Sequence, residues 1–298
     1  MTIDAPRHAP VMPAEVLSLI SPRENGLYVD CTVGLGGHTR ALLEAGASRI
    51  LGLDRDPEAL RIAAESLAGF GDRVELVHAD YRDLARVLDE RGVPGIDGAL
   101  ADLGVSSMQL EGEGRGFSFR REDPLDMRMD RSQGPTAADL IATTDEESLA
   151  NVIFQYGEER YSRRIARAIV AARQIEPIRT TTTLAQIVRR AIPRRGYQRI
   201  DPATRTFQAL RIWVNRELEG LERFLREAAR RLVGGARLAI ITFHSLEDRI
   251  VKHAFRAFER AEAALRVVTK RPTDPSDDEV ARNPRARSAK LRAAERVA

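Results

Sequence analysis

The chain has 298 residues, of which 43% are hydrophobic and 31% are charged. This balance is typical of a globular protein with one large domain or two ordinary ones. The sequence shows neither an apolar run of membrane-spanning length nor a secretory signal, and its single cysteine, Cys31, excludes an intramolecular disulfide. We therefore expect a cytoplasmic protein that works away from membranes.

The formal net charge is only +3, but the charges are unevenly distributed along the chain. Residues 1–110 contain 10 arginines and 17 acidic residues, whereas residues 160–216 contain 14 arginines and 2 acidic residues. Only three of the 47 basic residues are lysines, so a general preference for arginine explains the residue type but not its segregation. The basic segment indicates an anionic macromolecular partner, most simply a nucleic acid.

The first motif along the chain is a strand, a glycine-rich turn and a helix. Residues 28–39 read Tyr-Val-Asp-Cys-Thr-Val-Gly-Leu-Gly-Gly-His-Thr. In an open α/β sheet such a turn lies at the carboxyl end of a strand, where glycines let a ligand approach the backbone and helix-start N–H groups are exposed. A nucleotide-type cofactor fits this place, and a glycine-rich turn that only packs tightly is the alternative.

Two residues narrow the choice of cofactor. Thr39 stands where a dinucleotide fingerprint that begins at Gly34 needs its third glycine. Asp30, just before the turn, would repel a pyrophosphate. An acidic residue beside a glycine-rich loop instead suits a cofactor with a cationic amino-acid portion, such as S-adenosylmethionine.

Three more strands are predicted before residue 110, at residues 49–54, 74–78 and 96–100. Helical segments separate them, so the pattern predicts a parallel, doubly wound sheet. Asp54 ends the second strand, where a carboxylate can accept hydrogen bonds from ribose hydroxyls, while Asp56 before a proline fits a helix cap better.

After the third strand, Tyr81 can stack on an adenine. A tyrosine that packs under the sheet is the equal alternative for this position.

The pattern changes after residue 110. Residues 111–135 lack a clean period, which is typical of a functional or a disordered loop. Their interleaved arginines and phenylalanines can either contact RNA or seat the loop on the protein. Helical patterns without a strand candidate continue to about residue 195. Two glycines at 234 and 235 suggest a break before an apolar strand at 237–243, which resumes the sheet. A helix to about residue 262 and an edge strand at 265–270 are predicted to follow. The basic segment 283–296 is expected to lie on the surface or to contact the substrate.

Eight motifs in this order closely resemble the RsmH (MraW) family of bacterial methyltransferases, and the resemblance extends from about residue 8 to residue 296. They are Val-Gly-Leu-Gly-Gly-His-Thr (33–39), Asp-Leu-Gly-Val-Ser-Ser-Met-Gln-Leu (102–110), Arg-Gly-Phe-Ser-Phe (115–119), Asp-Pro-Leu-Asp-Met-Arg-Met-Asp (123–130), Tyr-Gly-Glu-Glu-Arg (156–160), Pro-Ala-Thr-Arg-Thr-Phe-Gln-Ala-Leu-Arg-Ile-Trp-Val-Asn (202–215), Phe-His-Ser-Leu-Glu-Asp-Arg (243–249) and Asn-Pro-Arg-Ala-Arg-Ser (283–288).

The resemblance implies an S-adenosylmethionine-dependent enzyme that methylates the N4 amine of a cytidine in the decoding region of 16S rRNA, within the small ribosomal subunit. It implies a class I methyltransferase fold, which is Rossmann-like with a mostly parallel, doubly wound sheet and an inserted all-α domain. Residues 1–110 and 203–298 would form the methyltransferase domain, and residues 111–202 the helical, substrate-side insertion. A homodimer is left open.

Matching the family's motifs also implies a set of cofactor-binding residues. These are Gly36, Gly37, His38, Asp54, Tyr81, Asp102 and Gln109. The chain departs from the family where Cys-Thr-Val-Gly-Leu replaces the Gly-Thr-Phe-Gly-Arg of many members, and where Met108 replaces the usual proline. Both departures change the packing of loops more than their polar contacts.

The reaction indicates roles for two side chains, Asp102 and His244. Asp102 would accept a hydrogen from the cytosine amine as the catalytic residue, or it would only hold the methionine amino group of the cofactor. His244 follows a strand and would help to hold the base, or it is structural. The five histidines are scattered and have no cysteine partners, so no metal site is predicted.

RNA is expected to contact the loop 111–130, the arginine-rich helices and Arg205. The main alternative to the enzyme is a non-catalytic RNA- or ribosome-binding protein that retains a cofactor pocket. A small-molecule methyltransferase is a third alternative, which the basic segment argues against.

Overall fold

The computed structural model describes residues 9–193, 200–261 and 265–297. It divides into two units, which we call the sheet unit (Met1–Gly104 with Glu219–Ala298) and the helical unit (Val105–Leu218). No helix among the described residues is long and apolar enough to cross a membrane. Residue 8, residues 194–199 with their three arginines, and the predicted helix end at residue 262 lie outside the described residues.

The sheet unit contains one seven-stranded sheet in the order β3-β2-β1-β4-β5-β7-β6. Its strands are β1 (Leu27–Asp30), β2 (Arg49–Asp54), β3 (Val74–His78), β4 (Ile96–Asp102), β5 (Leu232–Thr242), β6 (Leu265–Val267) and β7 (Lys290–Arg296). The first five run parallel, and β7 is antiparallel to both of its neighbours. The order reverses between β1 and β4, and this arrangement confirms the predicted class I, Rossmann-like methyltransferase fold.

The described residues contain thirteen α-helices. They are α1 (Pro13–Ile20), α2 (Gly37–Glu44), α3 (Pro57–Leu67), α4 (Leu84–Glu90), α5 (Ser107–Glu111), α6 (Ala137–Thr143), α7 (Glu146–Gly157), α8 (Ser162–Ile175), α9 (Thr181–Ala191), α10 (Ala203–Asn215), α11 (Leu221–Arg231), α12 (Ser245–Ala261) and α13 (Asp277–Arg282).

Helices cover both faces of the sheet, so its central strands are apolar on both sides. Along β4, Ala99 and Ala101 join the core cluster that includes α4, α11 and α12, while Leu100 between them joins the cluster that includes α1 and α2. In α11, residues 221, 224, 225, 228 and 229 are all buried, which is the spacing of one helical face. Burial of each large apolar side chain contributes about 1.5–3 kcal/mol.

The C-terminal segment 283–296 differs from the surface placement expected from its charge. Residues 284–288 form a short 3-10 turn, and β7 then lies inside the sheet between β5 and β6. Leu291 and Ala293 are fully buried. Arg292, on the other face, donates to both carboxylate oxygens of Asp248 at 2.7 and 3.0 Å. This ion pair allows the buried Arg292 to lie in a strand inside the sheet, although the surrounding sequence is basic.

The strand predicted at 237–243 begins earlier, because β5 includes the two glycines at 234 and 235 that suggested a break. The pairing of β4 with β5 shifts between Ile96 and Gly98, so the extra residues are absorbed as a bulge. At the sheet edge, β6 ends at Val267, three residues before the predicted end.

The helical unit has its own apolar core, to which α6 to α10 all contribute. Phe207 and Leu210 of α10 pack in this core with Ile153 of α7 and Ile169 of α8. The unit boundaries therefore fall after residues 104 and 218, whereas the sequence suggested residues 110 and 202. The apolar face of α10 is the physical reason for the later boundary.

Candidate active site

The glycine-rich turn after β1 is shaped by close packing as well as by backbone conformation. Gly36 has a φ of +88°, and a Cβ at this position would lie 2.9 Å from a methyl carbon of Leu67 in α3. Ser66 of the same helix donates a hydrogen bond of 3.0 Å to the Leu35 carbonyl. Glycine is therefore required at position 36 both by its left-handed conformation and by the approach of α3.

Asp30, the last residue of β1, is fully buried beneath this turn. Its Oδ2 accepts a hydrogen bond of 2.7 Å from the Thr39 hydroxyl, and its Oδ1 accepts one of 3.2 Å from the Thr32 N–H. Burial raises the pKa of Asp30, although His38 and these hydrogen bonds oppose the rise. Asp30 and the two threonines thus stabilise the turn. The sequence pattern of the strand gave no indication of this function.

Asp54 connects the end of β2 to the same turn. Its Oδ2 accepts a hydrogen bond of 2.7 Å from the Gly34 N–H, and its Oδ1 accepts one of 2.8 Å from the Asp56 N–H. Burial raises the pKa of Asp54 to about 6, against the hydrogen bonds that lower it. Asp56 caps α3 by accepting from the Glu58 N–H at 3.1 Å, as the sequence predicted.

Asp102 lies at the end of β4, the strand that pairs with β1 at the reversal of the sheet order. Its N–H donates to the Thr32 hydroxyl at 2.7 Å, and its Oδ1 accepts from the Gly104 N–H at 3.1 Å. Its Oδ2 lies 3.7 Å from Nε2 of His38. The side chain of Asp102 is 21% exposed and that of His38 only 6%.

His38, in the first turn of α2, has a further property. Both of its ring nitrogens are buried and have no hydrogen-bond partner among the described residues. Buried polar atoms are nearly always paired with protein, water or ligand. The imidazole of His38 therefore leaves room for a hydrogen bond to a water molecule or a polar ligand beside the turn.

Tyr81 follows β3 and is half-buried. Its ring packs edge-to-face on Phe224 of α11, with centroids 4.7 Å apart. The preceding Asp80 accepts from Nε and Nη2 of Arg82 at 2.7 and 2.6 Å, and Arg55 lies 3.6 Å away. Burial alone would raise the pKa of Asp80, but the two arginines outweigh it and lower the pKa. The carboxylate beside Tyr81 is thus ionised and held by arginines.

The structure brings six of the seven residues matched to the cofactor site to the carboxyl ends of β1 to β4 in the sheet unit. The seventh, Gln109, belongs to the helical unit. Its Oε1 accepts from the Ser106 N–H at 3.0 Å, and its own N–H donates to the Ser106 hydroxyl, which together form a capping box at the start of α5.

Comparison with known proteins decides the family. The model of the MraW methylase family matches residues 5–297. The chain belongs to the MraW methylase family.

Two curated relatives illustrate how close other members are. "Ribosomal RNA small subunit methyltransferase H" of Sorangium cellulosum (strain So ce56) is 53% identical over 98% of this chain and 91% of the relative. The protein of the same name from Geobacter sulfurreducens (strain ATCC 51573 / DSM 12127 / PCA) is 52% identical over 97% of this chain and 99% of the relative.

Among solved structures, "Crystal structure of putative rRNA-methylase from Clostridium thermocellum" covers 95% of this chain and 94% of its own. Its TM-score is 0.47 and its identity 12%, a similarity too low to support a conclusion about the site.

Membership of a methylase family makes S-adenosylmethionine the cofactor of this chain. The residues of the turn fit that molecule. Asp54 offers a carboxylate for ribose hydroxyls, and the glycines give access to the backbone. The imidazole of His38, which makes no hydrogen bond among the described residues, and the carboxylate of Asp102 add polar atoms beside the turn.

His244 of the methylase follows β5 and lies in the sheet unit. Its Nε2 is 3.1 Å from Oε1 of Glu247, whose backbone N–H donates to Nδ1 of the same ring at 3.4 Å. The other oxygen of Glu247 accepts from the Phe243 N–H at 3.0 Å. These contacts favour the structural alternative for His244, since the start of α12 holds the ring.

In the helical unit of the methylase, the segment 111–135 is held by interior polar groups. Nη2 of the buried Arg115 donates to the Met129 carbonyl at 2.9 Å. Asn215 of α10 donates to the Met127 carbonyl and accepts from the Met129 N–H, both at 2.8 Å. Met127, with a φ of +65°, is fixed in a left-handed conformation by these bonds.

The phenylalanines of this segment seat it on the protein. Phe117 is buried. The ring of Phe119 lies 4.7 Å from that of Phe207, and Arg189 lies over it at 5.5 Å. Of the two functions that the sequence allowed for these rings, the structure favours packing over base stacking.

The surface of the helical unit carries many exposed arginines. Some of them are ion-paired, as Arg167 is with Glu146 and Arg189 with Asp201. Others have no acidic partner within the described ranges; these include Arg120, Arg163, Arg164, Arg179 and Arg190. Unpaired guanidinium groups on a surface suit phosphate oxygens.

Proposed function

We propose that this methylase transfers the methyl group of S-adenosylmethionine to the N4 amine of a cytidine in the decoding region of 16S rRNA. The proposal places the reaction in the cytoplasm, on the small ribosomal subunit. The names of the relatives support ribosomal RNA as the substrate. The single observation that carries the chemistry is the partly exposed carboxylate of Asp102 at the end of β4, beside the cofactor turn.

The chemistry explains why a carboxylate is needed there. The exocyclic amine of cytosine is a weak nucleophile because its lone pair is delocalised into the ring. Methyl transfer from a sulfonium is an in-line displacement, so positioning and local electrostatics supply most of the acceleration. A carboxylate that accepts one amine hydrogen raises the nucleophilicity of the nitrogen and then receives the proton.

The surroundings of Asp102 suit this role. The Gly104 N–H holds Oδ1, and the backbone of Asp102 is fixed by the Thr32 hydroxyl. The carboxylate therefore has a defined orientation before substrate binds, and its second oxygen faces His38. The sequence left a second role open, in which Asp102 only holds the methionine amino group of the cofactor, and the kinetics of Asp102 variants separate the two.

RNA binding is assigned to the exposed arginines of the helical unit. Contacts to phosphates carry little sequence information, so these residues would supply affinity and orientation. A target base must leave its stack before its amine can reach the cofactor. In the segment 111–135, the exposed Arg120 would contact a phosphate of this RNA.

The test uses methyl-labelled S-adenosylmethionine, the purified protein and small ribosomal subunits that lack the modification. The rRNA is digested to nucleosides, and the labelled nucleoside is identified by its mass. Label in N4-methylcytidine supports the proposal. Label in another nucleoside would contradict the acceptor atom, and binding of cofactor and subunits without any label would favour the non-catalytic RNA-binding alternative.

A further inference from the structure

We propose that Glu279 is a positioning residue for the cofactor turn, because it holds the N-terminal segment (residues 9–12) on Gly37 at the start of α2. The inference rests on the S-adenosylmethionine site of the proposed function. It does not depend on which atom of which nucleotide accepts the methyl group.

The first contact joins two distant parts of the chain. Oε1 of Glu279, in α13, accepts a hydrogen bond of 2.5 Å from the backbone N–H of Met12. Met12 is fully buried and has a φ of +53°, a left-handed conformation that a residue other than glycine keeps only when its surroundings hold it. Its carbonyl accepts from the Val16 N–H at 2.9 Å, so both backbone groups of Met12 are fixed.

The second contact lies two residues earlier. A Cβ added to Gly37 would be 3.1, 3.2 and 3.3 Å from three ring carbons of Pro10. The ring of Pro10 therefore lies directly against the first residue of α2, between Gly36 and His38. Only Val11 separates Pro10 from Met12, so fixing Met12 restricts the position of the ring.

The C-terminal segment 276–289, which we call the brace, supports Glu279. The Ser276 hydroxyl accepts from the Glu279 N–H at 3.2 Å, and the Glu279 carbonyl accepts from the Asn283 N–H at 2.6 Å. The motif 283–288 belongs to the brace, so the inference gives this motif a structural function beside α2.

One core cluster unites the brace, the N-terminal segment and α2. Its members from these three parts are Ala286, Ala289, Val11, Met12, Leu42 and Leu43. The apolar contacts bring the three parts together, whereas the hydrogen bond from Met12 to Glu279 fixes the position of the N-terminal segment relative to the brace. A buried carboxylate is costly unless it is hydrogen-bonded, and an apolar residue at 279 would leave the Met12 N–H without this partner.

The test compares cofactor binding in Glu279→Ala with that in a matched variant. Asp97→Ala also removes a carboxylate that accepts a backbone N–H, from Leu27 at 2.8 Å, but at the opposite end of β1 from the turn. Binding of S-adenosylhomocysteine is measured by calorimetry, and hydrogen exchange of residues 9–16 is measured without ligand. We expect Glu279→Ala to weaken binding about tenfold and to speed exchange at Met12, and Asp97→Ala to change binding less than about twofold.

Two more variants separate positioning from a general loss of stability. Glu279→Gln keeps an oxygen that accepts from Met12, so it is expected to bind within about threefold of the wild type. Pro10→Gly removes the ring from Gly37 without touching a buried polar group, and is expected to weaken binding several-fold even if Glu279→Ala does not fold.

Wild-type affinity in Pro10→Gly or in a folded Glu279→Ala would overturn the inference, as would an equal loss in Asp97→Ala. Failure of the wild-type protein to bind S-adenosylhomocysteine at all would instead contradict the cofactor site itself. Label in the wrong nucleoside, by contrast, would leave this inference intact.

Discussion

The carboxylate of Asp54 accepts a hydrogen bond from the Gly34 N–H, and this bond joins the end of β2 to the turn that follows β1. The residue that the family resemblance matches to ribose binding thus also shapes the glycine-rich turn. Substitution at position 54 removes this bond together with the ribose contact that the resemblance implies.

Asp54→Ala is expected to weaken S-adenosylhomocysteine binding by about 30-fold or more, because a hydrogen bond to a charged group contributes about 1.5–3 kcal/mol. Calorimetry measures the effect. Asp56→Ala is the matched control, since it removes the cap of α3 and about 1 kcal/mol of stability without removing the carboxylate at 54. Equal affinity loss in the two variants would argue against a ribose contact.

The pH dependence of cofactor binding is expected to follow the ionisation of the Asp54 carboxyl group. Its pKa in the folded protein is about 6, above the ordinary value of 3.8, and the ionised form is the better acceptor for ribose hydroxyls. Affinity for S-adenosylhomocysteine should therefore increase as pH rises through about 6. An unchanged pH profile in Asp54→Asn would show that another group is responsible.

The raised pKa of Asp54 affects stability in the opposite direction, because the free energy of unfolding decreases as pH rises. Protonation of Asp54 favours the folded state, so this contribution to stability is fully present below the ordinary pKa near 3.8 and is lost as pH rises through about 6. Urea unfolding without ligand at pH 5 and pH 7, in the wild type and in Asp54→Asn, gives the contribution of Asp54 to the free energy of unfolding. The wild type should lose more stability than the variant between these two values.

Gly36→Ala is expected to destabilise the protein by about 2–3 kcal/mol. The substitution adds strain at a φ of +88° and places a Cβ 2.9 Å from Leu67. Gly46→Ala separates the two causes, because Gly46 has a φ of +108° with no atom within 4 Å of an added Cβ. Urea unfolding should show about 1 kcal/mol for Gly46→Ala, and an equal loss in both variants would mean that the contact with Leu67 is relieved easily.

Asp102→Ala is expected to lower kcat by about 100-fold or more at saturating cofactor, if the carboxylate accepts the amine hydrogen. Single-turnover methylation of small subunits provides the rate, and calorimetry provides the cofactor affinity. A variant that loses cofactor affinity but keeps its rate at saturation would assign Asp102 to the methionine amino group instead.

The double substitution Arg163→Gln with Arg164→Gln is expected to weaken RNA binding and to reduce the slope of log affinity against log salt by about 2. Both side chains are exposed on α8 and lack an acidic partner within the described residues. Arg61→Gln, on α3 of the sheet unit and paired with Glu65, is the control and should leave the slope unchanged.

The sequence predicted the first four strands and the turn well, because their apolar runs and glycines are local signals. It did not predict that β7 lies inside the sheet, because its basic residues suggested a surface segment. The ion pair of the buried Arg292 with Asp248, which makes this position possible, joins residues far apart in the sequence. The support of Asp30 by Thr32 and Thr39 was also missed. Such contacts depend on how the turn folds back onto the strand. The spacing of apolar residues along the sequence carries no information about this.

The position of β7 between β5 and β6 has a consequence for the order in which the protein folds during synthesis. The helical unit is one continuous stretch, so all its core residues have been synthesised once residue 218 is complete. The sheet unit must wait, because β5 keeps an unpaired edge until residues 290–296 are available. Near the end of translation, the nascent chain therefore exposes the unpaired N–H and C=O groups of β5. Aggregation through this strand edge then competes with completion of the sheet.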